Sequence, residues 1–345
     1  NNVWSKTVCI NILVSLQETV PRVTGGHEAT PYSHPYMVSL QKRLLWFRLH
    51  ICGGSIISKN RILTAAHCVS DSFVMKWLPL DAIAGIHNNY YFGRQAQIRT
   101  IFKKYPHPDY NGYSILIQNC CKRNDNRNVF FIFTGRARPI RAKMLKRALL
   151  LLKCVKIETF FCRGIGSHDI AVLYTFSPFK FTRELQPISL PNDLKLDQQL
   201  LTISGWGLLS TSMFMLDFPE KLQEIEVTYL PYEDCYEAIE GVKDEDEINP
   251  LNAETHICTG PITGGVAACS GDSGGPLVLH IVKDSNATKE NDSNEGVTVE
   301  DYYNSTVVLL GIVSWGLTPC GEEGAPTIHT KVSSYLDFIN QHLRK

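Results

Sequence analysis

The stretch Cys269-Ser270-Gly271-Asp272-Ser273-Gly274-Gly275-Pro276 sets a serine among glycines, beside an aspartate and four residues after a cysteine. Glycines there leave backbone N–H groups free to face a carbonyl, and the hydroxyl could attack that carbonyl. A serine hydroxyl is a poor nucleophile at neutral pH. It needs a base within hydrogen-bond reach, and the base needs an orienting group. Two upstream segments offer both: Thr64-Ala65-Ala66-His67-Cys68 and Asp169-Ile170-Ala171-Val172-Leu173. The chain has eleven histidines, but only His67 has a cysteine at its side that a bridge could hold in such a context. Asp169 opens an apolar run, which suits a buried carboxylate, and a buried carboxylate requires a donor. A lone Gly-Asp-Ser-Gly is more often a surface turn. The three segments together point to acyl transfer.

Histidine, then aspartate, then serine, in these local contexts, resembles the chymotrypsin-like (trypsin-fold) serine proteases, nearest to their chymotrypsin and elastase members. The resemblance covers about 23–112 and 164–345. It implies Ser273 as nucleophile, His67 as general base and then acid, and Asp169 as the group that fixes the imidazole tautomer. The N–H groups of Gly271 and Ser273 would form the oxyanion hole. Ser314-Trp315-Gly316 is similar to the family's strand that pairs with substrate backbone; for Trp315 alone, a core aromatic is the other reading. The base of the specificity pocket falls on Ala267, with Ala268, Ser270, Gly316 and Thr327 around it. Trypsin-like members carry an aspartate at that base, so the uncharged floor implies apolar substrate residues. Thr327 stands where open-pocket members have glycine, which implies medium side chains such as Leu, Met or Val over Phe or Tyr; the alternative is a Thr327 that points away.

The resemblance also implies bridges Cys52–Cys68, Cys235–Cys258 and Cys269–Cys320. A further family bridge would fall on Leu201 and Leu279, so both of its partners are missing together. The carboxylate of Asp272 would pair with the ammonium of Val23, freed by cleavage after Arg22. The chain is thus expected to be a zymogen with an activation peptide over residues 1–22 and a peptidase domain over 23–345. Val23-Thr24-Gly25-Gly26 departs from the family's usual Ile-Val-Gly-Gly, although Thr24 is still β-branched. The calcium-binding glutamate of some members is replaced by Ile86, and no metal or cofactor is expected.

Elements must hold these residues in place. Tyr36–Gln41, Leu49–Ser58, Arg61–Ala65, Leu200–Ser204, Lys221–Thr228, Pro276–Ile281 and Val307–Trp315 read as short strands between turn signals. Val332, Leu336, Ile339 and Leu343 recur at helical spacing, with Ser333 and Ser334 available as caps. With the resemblance, the fold is all-β: two six-stranded antiparallel Greek-key barrels with a C-terminal helix.

One segment fits neither pattern. Residues 113–163 hold twelve Lys/Arg against two Asp/Glu, a net of +10, while the rest of the chain carries −10. Four of its residues are extra cysteines, Cys120, Cys121, Cys154 and Cys162; Cys9 is the remaining one. His107-Pro-Asp-Tyr-Asn-Gly112 would join Gly164 smoothly, and Phe160-Phe-Cys-Arg163 fits the codons of a splice acceptor. The segment is expected to be a retained intron; the alternative is a long basic flap beside the cleft.

The 345 residues are 44% hydrophobic with a net charge of zero, which suits a large core and excludes disorder as the general state. Asn286, Asn291 and Asn304 head acceptor triplets for N-glycosylation within one polar stretch. Val8–Leu16 is a weak signal-peptide tail, and no run reaches the ~18 apolar residues of a membrane span. Bridged cysteines point to an oxidising compartment. The expected protein is a secreted, monomeric, digestive-type endopeptidase. Its partners are polypeptide substrates, a trypsin-like activating protease and protein inhibitors, with no nucleic acid and no membrane. The competing reading is an inactive homologue that binds other proteins.

Overall fold

Strand β9 (Gln223–Leu230) shows why these sequences fold as they do: Ile225 and Val227 are buried while Glu226 and Thr228 face solvent, the two-residue period of a half-buried strand. The computed structural model describes residues 25–70, 77–111, 166–192, 200–209, 218–243, 248–282, 305–317 and 320–344. Residues 1–22, Val23, the 113–163 segment, Asn286, Asn291 and Asn304 lie outside the described residues.

The first barrel is made of β2 (Met37–Leu44), β3 (Phe47–Ser58), β4 (Arg61–Thr64), β5 (Leu80–Ala84), β6 (Gln97–Pro106) and β7 (Ala171–Thr175). They close in the order β2-β3-β4-β7-β6-β5. The second is made of β8 (Leu200–Gly205), β9, β10 (His256–Gly260), β11 (Pro276–Val282), β12 (Ser305–Gly316) and β13 (Thr327–Lys331). Their order is β9-β10-β13-β12-β11-β8, and β8 pairs back onto β9 to close the ring. A short β1 (His27–Glu28) lies against β9. Closure pairs each strand of a barrel with two neighbours along most of its length.

Each barrel has its own apolar filling. Val38, Leu40, Ile56, Leu63, Ile83 and Val172 fill the first. Leu201, Ile203, Ile225, Val227, Leu277 and Val313 fill the second. Each such fully buried side chain contributes about 1.5–3 kcal/mol relative to exposure. Helix α1 (Tyr232–Val242) covers a smaller cluster with Cys235, Ile239, Trp315 and Ile328, and α2 (Leu336–Leu343) seats Ile339 on the first barrel.

Bridges join Cys52 to Cys68, Cys235 to Cys258 and Cys269 to Cys320. Leu277 opposes Ile203 and Val278 opposes Thr202. Leu201 is buried in the second barrel's filling and Leu279 packs against the same cluster, apolar side chains at the two positions of the missing bridge. The expected serine cap does not form. A 3-10 turn, Val332–Tyr335, precedes α2, and the Ser334 hydroxyl donates to the Glu254 carbonyl instead.

Candidate active site

Asp169 immediately precedes β7 and is buried. His67 sits in the 3-10 turn Ala66–Cys68 that follows β4. Pairing of β4 with β7 brings Thr64 opposite Ala171 and so sets the two residues side by side. His67 Nδ1 lies 2.7 Å from Asp169 Oδ2, and the His67 backbone N–H donates to Oδ1 at 2.9 Å. The second barrel supplies two more donors. Ser314 Oγ donates to Oδ2 at 2.5 Å, and Thr330 Oγ1 donates to the Asp169 carbonyl at 2.8 Å. With Nδ1–H turned to the carboxylate, His67 Nε2 carries the free lone pair that a base needs. Ser314, expected along the pocket wall, also turns its hydroxyl onto this carboxylate.

Ser273 lies in a tight turn. Asp272 N–H donates to the Cys269 carbonyl and Gly275 N–H to the Asp272 carbonyl. The Ser273 carbonyl accepts from Gly53 N–H at 2.8 Å, which pins the turn to β3. Cys68 Sγ lies 3.7 Å from that same oxygen; as a bridged sulfur it has no proton, so this is a packing contact that sets Ser273 beside the His67 turn. Gly271 has φ +106°, a conformation natural to glycine, and a Cβ there would lie 2.9 Å from Gly207 Cα. His50 Nε2–H donates to the Gly271 carbonyl at 3.0 Å. Burial pushes the His50 imidazole down to about 4, against the pull of that bond, so it is neutral at neutral pH. Among the described residues no acceptor takes the N–H of Gly271 or Ser273. Cys52, His67 and Cys68 bring three potential metal-ligand atoms together, but the bridge removes both thiolates and leaves His67 alone of the three.

Asp272 is fully enclosed. Its carboxylate accepts from Gly207 N–H at 2.8 Å and Cys269 N–H at 2.9 Å. A Cβ on Gly205 or Gly207 would overlap it. Burial pushes its pKa up to about 6, while the two N–H donors pull the other way. No cation pairs with it among the described residues.

In the expected pocket, Ala267 is buried and Ala268 packs on the second barrel's filling. The Ser270 carbonyl accepts from Leu208 N–H. Thr327 is buried on β13, opposite Gly316 on one side and Thr259 on the other. A Cβ on Gly316 would meet nothing nearer than the Pro326 carbonyl at 3.7 Å, so that wall is open. Trp315 packs beneath α1, its ring edge-on to His256 at 6.2 Å. β11 reaches only as far as Ile312 on β12, so the backbone of 314–316 has no strand partner on that side among the described residues. A residue the sequence did not single out also enters. His329 shares the face of Thr327 and is fully buried; its Nε2 lies 2.9 Å from Thr259 Oγ1 and its Nδ1 has no partner. Burial pushes it down to about 3, so it brings no charge. A sequence separation of 70 between Thr259 and His329 hides this pair from any local motif.

The arrangement can take a proton from Ser273, hold an imidazolium, and present two N–H groups to an oxyanion. The Trypsin family model matches the chain over residues 23–126 and 151–339. Glandular kallikrein of Sus scrofa is 27% identical over 319 residues, covering 92% of this chain and 95% of that protein. Kallikrein-1 of Mus musculus is 27% identical over 321 residues, covering 93% and 89%. Kallikrein 1-related peptidase b22 of Mus musculus is 28% identical over 326 residues, covering 94% and 90%.

Proposed function

The chain belongs to the trypsin family of serine endopeptidases, and from that premise we propose that it is a secreted zymogen which, once cut between Arg22 and Val23, cleaves polypeptides after medium-sized apolar residues. His67 Nε2 takes the proton of Ser273 as Oγ attacks the scissile carbonyl. The N–H groups of Gly271 and Ser273 hold the developing oxyanion. Removing one such donor costs on the order of 10²–10³ in turnover. Asp169, braced by Ser314, stabilises the imidazolium, which then protonates the leaving amine and leaves Ser273 acylated. Water, activated by the same imidazole, attacks the acyl-enzyme and restores the serine. The line Ser314–Asp169–His67, set against the Ser273 turn, carries this reading.

Ala267 supports the apolar preference. A substrate cation against the buried, uncharged Ala267 would find no counter-charge on that residue. That costs several kcal/mol, or discrimination of at least roughly a hundredfold. The buried Thr327 shortens the slot for rings. The enclosed Asp272, which pairs with no cation among the described residues, supports activation by a freed Val23 ammonium, and three bridges support secretion. The family match breaks at 127–150, inside the basic segment, while 113–126 and 151–163 are matched; the break supports an insertion there, and the charge and extra cysteines of 113–163 support its reading as a retained intron. We place glycans on Asn286, Asn291 and Asn304, and expect a monomer that protein inhibitors block.

Peptides that vary only the residue before the cut test this, with Ser273→Ala as the inactive control. Faster cleavage after Leu or Met is the expected result. Preference for Arg would overturn the pocket assignment, and preference for Phe would overturn only the role of Thr327.

A further inference from the structure

Strands β2 and β3 are joined by two residues, Leu45 and Trp46, since Leu44 and Phe47 are still paired. Such turns favour Asn-Gly, because their backbone needs positive φ. Here Leu45 takes φ +54° and is 75% exposed. Its neighbours are similarly uncovered: Leu44 is 46%, Trp46 66% and Phe47 48% exposed. The chain thus combines a conformation unfavourable to leucine with four consecutive large apolar side chains in water. Nothing among the described residues offsets either cost, and local rules broken without local compensation mark interaction sites. The patch extends beyond the hairpin. Pro79 accepts the Arg43 N–H at 2.9 Å, so Trp77, two residues earlier and 80% exposed, stands at the same end.

The base of this tip is basic. Arg43 and Arg48 oppose each other across the strands, and each has one guanidinium nitrogen 3.5 Å from Asp81 Oδ2. Two cations share one buried carboxylate, so positive charge is in excess beneath the apolar end. A convex tip offers no groove for a peptide. Tryptophan, phenylalanine and leucine above arginines are the composition of segments that enter the boundary of a bilayer without crossing it. We propose that the Leu44–Phe47 hairpin tip, with Trp77, seats this protein on anionic phospholipid surfaces, its rings among the acyl-chain boundary and Arg43 and Arg48 at the headgroups. Such a tip lies on a membrane and does not span it, and none of the described helices is long and apolar enough to cross one. Gly53, which bonds Ser273, lies six residues along β3 from Phe47. At about 3.3 Å per residue the cleft would stand roughly 20 Å from the lipid.

The test is co-sedimentation of the full chain with phosphatidylcholine vesicles, with and without phosphatidylserine, alongside tryptophan emission. We expect binding that needs phosphatidylserine, weakens with salt and shifts emission to the blue. The double variant Trp46→Ser/Phe47→Ser should bind at least roughly tenfold more weakly. Ile248→Ser removes an exposed apolar residue beside α1 on the other barrel and should bind as the parent does. Absence of binding, or equal binding by the double variant, overturns the proposal. Capture of a soluble protein through Trp46 and Phe47, with no affinity for vesicles, would overturn it too and assign the tip to a protein groove.

Discussion

Removing the Ser314 hydroxyl would take from Asp169 a donor 2.5 Å away while leaving the His67 contact in place. Hydrogen bonds to charged groups are worth about 1.5–3 kcal/mol, so Ser314→Ala should lower kcat/KM by roughly ten- to hundredfold. Steady-state kinetics on a Leu peptide would show this, and the midpoint of a circular dichroism melt should fall by a few degrees, since the buried carboxylate loses a donor. Asp272 makes a different prediction, one of stability. Its folded pKa of about 6 lies above the ordinary 3.8. Between those values the folded chain binds more protons than the unfolded chain, so stability falls as pH rises through this window. The loss is about 3 kcal/mol at most. An uncleavable Arg22→Gln chain should therefore lose denaturant resistance between about pH 4 and 6, whereas the cleaved protein, with an ammonium to offer, should not. Urea titrations at stepped pH would show whether the two forms differ. The contexts of His67 and Asp169 were readable because each carries its own short motif. The Ser314 bond and the Thr259–His329 pair were not, because a hydroxyl's direction and a contact across seventy residues depend on strand register.

Among the elements, the Gly205–Gly207 link after β8 carries the most specific constraint, since it wraps the Asp272 carboxylate without room for a methyl group. Gly205→Ala must push the carboxylate or the strand end aside. Overpacking of this kind costs about 1–3 kcal/mol, and here it also shifts the turn that bears Ser273. We expect a lower midpoint in urea together with a larger proportional loss of activity. Long strands such as β3 and β12 were legible in the sequence to within a few residues, because their apolar runs are bounded by turns. α1 was not read as a helix. It buries only Cys235 and Ile239, one turn apart, amid acidic residues, so its apolar stripe is too thin to stand out. Pro231 ahead of Glu233 and Asp234 was the available signal. The serine cap failed for a tertiary reason: Ser334 found the Glu254 carbonyl from the loop ahead of β10.

On the scale of the molecule, Asn111 and Gly166 abut so closely that a Cβ on Gly166 would lie 2.7 Å from the Asn111 carbonyl oxygen. The fold around them does not need the intervening chain to span a gap. Joining Gly112 directly to Gly164 shortens that connection by about four doublings, which favours folding by about 2 kcal/mol. The shortened chain should melt no lower than the parent and keep its turnover within a few-fold; a collapse of either would mean that residues 113–163 take part in the fold. The two closed barrels were legible in class from the strand signals and the resemblance, but their seating was not, because nothing local in a sequence encodes how one closed surface rests on another. That seating has a consequence for measurement. His67 and Asp169 ride on one barrel, and Ser273, Ser314 and Thr330 on the other. Displacements of about 1 Å at reacting groups can cost on the order of a hundredfold in rate. Under gentle warming or hydrostatic pressure, hydrolysis should therefore fall silent while far-ultraviolet dichroism still shows every strand intact, so that this chain reports slippage between its own halves long before either half melts.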